Sequence, residues 1–240
     1  MTPPPANTYS HQWFECFHTT IDEERTSREV AFLCKCAPLP DFRSLLDACC
    51  GMGRHSRALS KLGYSVTGID RSANAIATAR QLGGGPKYFV ADVREYRPQH
   101  SAFDVAIIMG QSFGHFDETT NRDLLRRLAT ALRIGGRMIL DLWNPEFFIA
   151  HQGKREFHTA HGPVEEHKHV NDGRLLVHLT YPDGADEFFD WQLFTESQMI
   201  ELTRPLNLEQ ILICSDFNIS TAPSIDRPRM QFVLAHCDCK

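Results

Sequence analysis

Leu45-Leu46-Asp47-Ala48-Cys49-Cys50-Gly51-Met52-Gly53-Arg54-His55-Ser56 is the stretch on which the reading of the fold turns. The run Ser44 to Cys49 is short and apolar, as a buried strand is; two glycines follow, and Arg54 to Leu62 is helical and closed by Gly63. Tyr64 to Ile69 is β-branched and leads to Asp70, so the unit reads strand, glycine turn, helix, strand. A glycine pair between strand and helix lets the backbone pass close to a ligand with no Cβ between them, and the helix start offers free N–H groups. Asp70 falls at the tip of the neighbouring strand, where a carboxylate can accept hydrogen bonds from both hydroxyls of a ribose. Taken singly, the glycines also suit an ordinary tight turn, and Asp70 suits the N-cap of a helix over Arg71 to Leu82.

The alternation continues outward from this unit. Arg71 to Leu82 is helical and closed by Gly83; Lys87 to Ala91 and Phe103 to Met109 are strands; Leu124, Leu125, Leu128, Ala131 and Leu132 keep helical spacing. Gly135-Gly136 is expected to end that helix, and Arg137 to Trp143 to form a fifth strand. Apolar strands separated by amphipathic helices predict an α/β fold, a doubly wound and mostly parallel sheet covered on both faces. After Pro145 the pattern changes. Val164 to Val170, Leu175 to Tyr181 and Phe188 to Phe194 are strands separated by Asn171-Asp172-Gly173 and Pro182-Asp183-Gly184, which is turn chemistry and predicts an inserted antiparallel β-meander. Thr195-Glu196-Ser197-Gln198 is a capping box opening a short helix that Pro205 stops. Gln210 to Cys214 and Met230 to His236 then form a closing antiparallel strand pair, which brings the main sheet to seven strands. Before all this, Thr26-Ser27-Arg28-Glu29 reads as another capping box, starting a helix that stops before Pro38. The expected organisation is a helical N-terminal arm or cap over 1–42, a ligand-binding core over 43–145, the meander over 146–194, and a C-terminal helix and strand pair over 195–240.

Composition narrows the function. A chain of 240 residues with 42% hydrophobic content can bury one sizeable core. Its 25 basic and 30 acidic residues leave a net charge of −5, and no run of Lys and Arg offers a phosphate-tracking surface, which argues against nucleic acid as a partner. No 18-residue apolar stretch exists and Met1 to Ser10 is Pro-rich and polar, so no membrane span or signal peptide is expected and the location expected is cytoplasmic. The eight cysteines, spaced C-x-C and C-C, are expected as reduced thiols, and no metal is expected. His158, His161, His167 and His169 read as exposed strand and loop residues.

Asp47 to Gly53 followed by Arg54-His55-Ser56 resembles the glycine-rich first motif of class I, Rossmann-like S-adenosylmethionine-dependent methyltransferases, nearest to members acting on small molecules and small amines. The likeness continues through Gly68-Ile69-Asp70-Arg71-Ser72, Ala91-Asp92-Val93-Arg94, Phe103-Asp104 and Gly135-Gly136, in order, over about residues 43 to 143. Two departures stand out: Cys49-Cys50 in place of a small residue and Cys, and Pro205-Leu206-Asn207 where Ala-Gly is frequent. The resemblance implies S-adenosylmethionine as cofactor. It implies contacts from Asp47, Cys49, Gly51, Gly53, Arg54 and His55 at the first motif, and from Asp70 and Arg71 at the ribose. Asp92 and Val93 fall at the adenine, and Met109 and Gly110 follow the fourth strand. A dinucleotide-dependent oxidoreductase is the alternative from the residues alone. Gly51-x-Gly53-x-x-Ser56 lacks that motif's third glycine, however, and Asp47 would lie near a negative pyrophosphate, whereas a sulfonium cofactor tolerates it. Use of the same cofactor for cyclisation, releasing methylthioadenosine, and a non-catalytic ligand-binding module remain further alternatives.

Met109-Gly110-Gln111-Ser112-Phe113-Gly114-His115-Phe116 follows the fourth strand, where such sheets carry their sites, and resembles a segment of small-amine N-methyltransferases. On that likeness His115 is the candidate general base, with near-neutral titration expected of an imidazole. A histidine that merely packs on the loop is the other reading. Gln111, Ser112, Trp143 and Asn144 are candidates for the acceptor pocket, with Tyr9 and Trp13 from an aromatic cluster that also includes Phe14 and Phe17. The expected partner is a small-molecule acceptor, and the meander is either a substrate lid or a homodimer surface.

Overall fold

The structure, a computed structural model, describes residue 7 and residues 9–17 and 22–238. The side chain of Phe14, and Cys239, lie outside what is described. Among the described residues two helices make the arm: α1 (His11–Phe17) and α2 (Glu23–Cys36). The second begins a turn before the expected capping box. Asp22 is the N-cap, accepting from the Arg25 N–H at 2.7 Å, and the Thr26 hydroxyl bonds back to the Asp22 carbonyl. Glu29 is therefore not a capping residue but a mid-helix one, and it is fully buried.

The alternating region forms β1 (Ser44–Ala48), α3 (Arg54–Lys61), β2 (Ser65–Asp70), α4 (Ala73–Leu82), β3 (Lys87–Val90), β4 (Phe103–Ile108), α5 (Glu118–Ala131) and β5 (Leu132–Trp143). The fifth strand starts five residues earlier than expected: Gly135-Gly136 lies inside it, at an irregularity in its pairing with β4, rather than at a helix end. The N-cap of α4 is Ser72, so Asp70 is left for another use.

Beyond β5 come α6 (Pro145–Ala150), then β6 (Gly153–Thr159), β7 (Gly162–Asn171), β8 (Arg174–Thr180) and β9 (Asp186–Gln192). Pro145 is the first residue of α6. The meander has four strands and not three, since β6 joins its edge. Its sequence, GKREFHT, has no apolar alternation because nearly every side chain on it is exposed. α7 (Glu196–Thr203) carries the expected reciprocal cap between Thr195 and Gln198, and β10 (Leu208–Cys214) and β11 (Arg229–His236) finish the main sheet.

That sheet runs β10-β11-β5-β4-β1-β2-β3, with β11 antiparallel to both neighbours and the strands from β5 to β3 parallel. Its two faces bury separate clusters. Leu46, Ile108, Leu125, Leu140 and Phe232 are on one side; Leu33, Leu45, Ile107, Ile139 and Val233 are on the other. Burial on both faces is why β1 and β4 read as unbroken apolar runs. The strand order reverses between β1 and β4, and a ligand crevice opens beyond the C-terminal ends of the strands at such a point. The smaller sheet packs Val164, Leu175, Phe189 and Trp191 with Trp13, Cys16 and Phe148, which fixes α1 and α6 to one another through it. Among the described residues no helix is long and apolar enough to cross a membrane. The histidines at 158, 161, 167 and 169 are exposed, as expected.

Candidate active site

The turn after β1 is drawn tight by Asp70. Its carboxylate accepts from the Gly51 N–H through Oδ2 and from the Ser72 N–H through Oδ1, both at 2.8 Å, which ties together the tips of β1 and β2. Gly53 caps α3 at φ 73° without a side-chain cap, and a Cβ there would collide with the Tyr88 phenol. A Cβ on Gly51 or on Gly110 would instead meet nothing within 4 Å: both turns border open space beyond the strand ends. Cys49 takes φ 63°, a conformation usual for glycine, with burial pushing its thiol pKa up. Asp47 is buried under the turn and accepts from Ser56 Oγ at 2.5 Å; burial raises its pKa, against the pull of His55 and Ser56. At the tip of β3, Asp92 is paired with Arg94, whose hydrogen bonds hold the carboxyl below its ordinary pKa, while Val93 is buried in the core.

Arg54 and His55 do not point toward that space. Arg54 Nη2 lies 2.5 Å and His55 Nε2 2.7 Å from Glu29 Oε2, so the first residues of α3 are anchored on α2. Burial alone would raise the Glu29 carboxyl; the His55 bond and the charges of Arg229, His55 and Arg54 outweigh it and hold it well below the usual carboxylate range.

The segment after β4 is anchored equally firmly. Gly110 and Gln111 both have positive φ, 68° and 59°, and both bond to Asp141: the Gly110 N–H at 3.0 Å and Gln111 Nε2 at 2.6 Å. Gln111 is thus turned toward Asp141. Asn144, another expected pocket residue, is committed as well. It caps α6 through Oδ1 and donates from Nδ2 to the Ser224 and Arg227 carbonyls at 2.8 and 2.9 Å. Ser112 Oγ donates to the Met109 carbonyl, and Met109 is buried.

Further along, Gly114 passes so close to β9 that a Cβ would lie 2.6 Å from the Gln192 carbonyl, and its own carbonyl accepts from the Gln192 N–H at 2.8 Å. This crossing sets His115 against the smaller sheet. Its ring lies 5.4 Å from that of Trp191 and 6.0 Å from that of Tyr9, whose hydroxyl is 3.3 Å from His115 Nε2. Trp13 meets Tyr9 edge-on at 4.6 Å, and Trp143 meets Trp191 edge-on at 6.1 Å. Asn7 fastens this arm down. It donates to the His115 and Asp190 carbonyls and accepts from Arg71 through its own carbonyl. Burial, with the Arg71 charge, lowers the His115 pKa from 6.5 to about 4, so the imidazole is neutral at physiological pH and does not titrate near neutrality as expected.

Residues 45–136, from β1 into β5, match the family described as methyltransferase domain. These residues form a methyltransferase domain. Its fold is that of S-adenosylmethionine-dependent methyltransferases of known structure. The methyltransferase is 27% identical over 182 residues to a glycine/sarcosine N-methyltransferase of Halorhodospira halochloris, over 72% of this chain and 68% of that protein. It is 25% identical over 227 residues to a protein of the same name from Aphanothece halophytica, over 88% of this chain and 85% of that one. In fold it resembles the crystal structure of an S-adenosylmethionine-dependent methyltransferase from Clostridium acetobutylicum. That likeness has a TM-score of 0.77 at 15% identity and covers 95% and 97% of the two chains.

The residues of the methyltransferase fit that cofactor. Open space beside Gly51 and Gly110 admits a ligand where side chains would obstruct it, and the Asp70 carboxylate, at the tip of β2, is an acceptor of the kind a ribose needs. Sequence reasoning missed Glu29, Asn7, Trp191 and Arg229. Of these only Glu29 left a signal, since a charged residue within an apolar helical face needs a partner.

Proposed function

We propose that the chain transfers a methyl group from S-adenosylmethionine to the nitrogen of a small amine, at His115. The observation that carries this reading is a neutral, largely buried imidazole on the loop beside Gly110, walled by Tyr9 and Trp191. The names of the relatives, which methylate glycine and sarcosine nitrogen, support it. The acidic charge balance supports a small acceptor over a polyanion. In this reading the arm (1–42) and the insertion (146–194) cap a cofactor core (43–145) that residues 195–240 complete.

When bound, the cofactor supplies a methyl group already activated on a sulfonium. What remains for the chain is alignment, which contributes roughly 7–11 kcal/mol to such reactions. Asp70 would accept from the ribose, Asp92 and Val93 would border the adenine, and the Gly51–Gly53 turn, Cys49, Met109 and Gly110 would leave room for the rest. Asp47 contributes negative charge beneath a cationic group. Tyr9, Trp13, Ser112 and Trp143 line the acceptor side. On gaining the methyl group the acceptor nitrogen would give up a proton. A neutral His115 accepts the hydrogen bond from that N–H and aims the lone pair, and its low basicity lets the proton pass on to solvent.

Incubating the protein with S-adenosylmethionine and a panel of small amines, with glycine, sarcosine and an amino sugar among them, tests this by mass spectrometry of the products. N-methylated amine and S-adenosylhomocysteine in equal amounts are expected, and His115→Gln lowers turnover while leaving cofactor affinity unchanged. Methylthioadenosine as the sole product, or methyl transfer only to oxygen, overturns the reading.

A further inference from the structure

A buried ionic chain runs beneath the site without touching the space where the reaction is placed. At its centre is Arg229, on the last strand, whose side chain is 13% exposed. Its Nε and Nη2 grip the Asp141 carboxylate, with Nε at 3.1 Å from Oδ1, and its Nη1 lies 3.1 Å from Glu29 Oε1. Gln231 Nε2 adds a bond to Asp141 Oδ1 at 2.9 Å. Burial alone would lower the Arg229 pKa, and the two carboxylates outweigh it, so the guanidinium stays charged.

Each carboxylate holds one wall of the cofactor space. Glu29 fixes Arg54 and His55, the residues that follow the Gly51–Gly53 turn. Asp141 fixes Gly110 and Gln111, two consecutive residues at positive φ that have no helix or strand of their own to hold them. The two backbone segments bordering open space are thus joined through a single planar fork.

We propose that Arg229 is a positioning residue for the cofactor site, bridging Glu29 and Asp141 so that the Gly51–Gly53 turn and the Gly110–Gln111 turn keep a fixed separation. A lysine keeps the charge but, as a point donor on a single stem, does not span two carboxylates as a fork does. A core ion pair without this role would change global stability and leave the loop and the ligand affinity alone.

The test compares the full-length protein with Arg229→Lys and with Glu29→Gln, which does not touch the loop after β4. Amide hydrogen exchange at Gly110, read by NMR without ligand, reports the loop; calorimetric titration with S-adenosylhomocysteine reports the site. Arg229→Lys is expected to speed Gly110 exchange and to weaken S-adenosylhomocysteine binding, each by about tenfold, with Leu128 in α5 unchanged. Glu29→Gln is expected to speed Gly110 exchange by about threefold, because the perturbation passes through Arg229. Gly110 exchange and affinity both within twofold of wild type in a folded Arg229→Lys protein overturn the proposal. Should that variant not fold, an unchanged Gly110 in Glu29→Gln overturns it. The exchange measurement needs no ligand, so a wild-type protein that fails to bind S-adenosylhomocysteine defeats the cofactor assignment without deciding this proposal, which Gly110 decides separately.

Discussion

Replacing His115 by Gln removes a titration that burial in the aromatic wall displaces well below neutrality. The folded-state pKa lies below the ordinary value, at about 4 against 6.5, so protonation opposes folding. The stabilisation is full above pH 6.5 and is lost as pH falls through the window down to about 4. Between pH 7 and pH 4.5 this single site costs the wild-type protein about 2 kcal/mol that the Gln variant does not lose. Carboxylates held below their ordinary pKa, such as Asp92 and Asp104, also weaken the fold in acid, but they do so in both proteins and cancel in the difference. In urea unfolding the gap between the two midpoints should therefore change by roughly 1 M across that range. Parallel loss of stability in the two proteins would show that His115 is hydrated, and with it would go the neutral hydrogen-bond acceptor on which the proposed chemistry depends.

Two further substitutions probe the frame around the site. Gly53→Ala puts a methyl group into the Tyr88 phenol at a left-handed position, and about 2 kcal/mol of stability should be lost by urea titration, together with cofactor affinity; unchanged midpoints would mean that Tyr88 rotates away freely. Asn144→Ala leaves the Ser224 and Arg227 carbonyls and the Glu146 N–H without their partner, and a loss of about 2–3 kcal/mol is expected with little effect on cofactor affinity. A large fall in affinity with unchanged stability would instead return Asn144 to the acceptor pocket.

The core of the fold was legible because β1, α3 and β2 carry local signals: an apolar run, glycines with a steric reason to be there, and a helix closed by Gly63. β6 was not, since an exposed edge strand has no apolar period to read. Nor was the start of α2, where Thr26 and Glu29 mimic a cap that Asp22 provides a turn earlier. The place of Asp70 at a strand end was readable. The partners of Arg54 and Gln111 were not, because they depend on Glu29 and Asp141, and Arg229, which bridges those two, lies 200 positions from Glu29. Side-chain direction at a helix start is set by what the rest of the chain brings beside it, and spacing does not encode that. The same holds for His115, whose lowered pKa comes from a sheet and an arm distant from it in sequence.

The central claim is that the Gly51–Gly53 turn and Asp70 hold the adenosyl cofactor, and calorimetric titration with S-adenosylhomocysteine tests it most directly. Because Asp70 also ties the turn through Gly51 and Ser72, both Asp70→Asn and Asp70→Ala belong in the comparison. The wild-type protein should bind one equivalent. Loss of charge-assisted bonds to the ribose, worth about 1.5–3 kcal/mol, should weaken binding by roughly ten- to a hundredfold in Asp70→Ala, and by less in Asp70→Asn. Equal affinity in all three proteins, or binding of a nicotinamide dinucleotide in place of S-adenosylhomocysteine, would contradict the account.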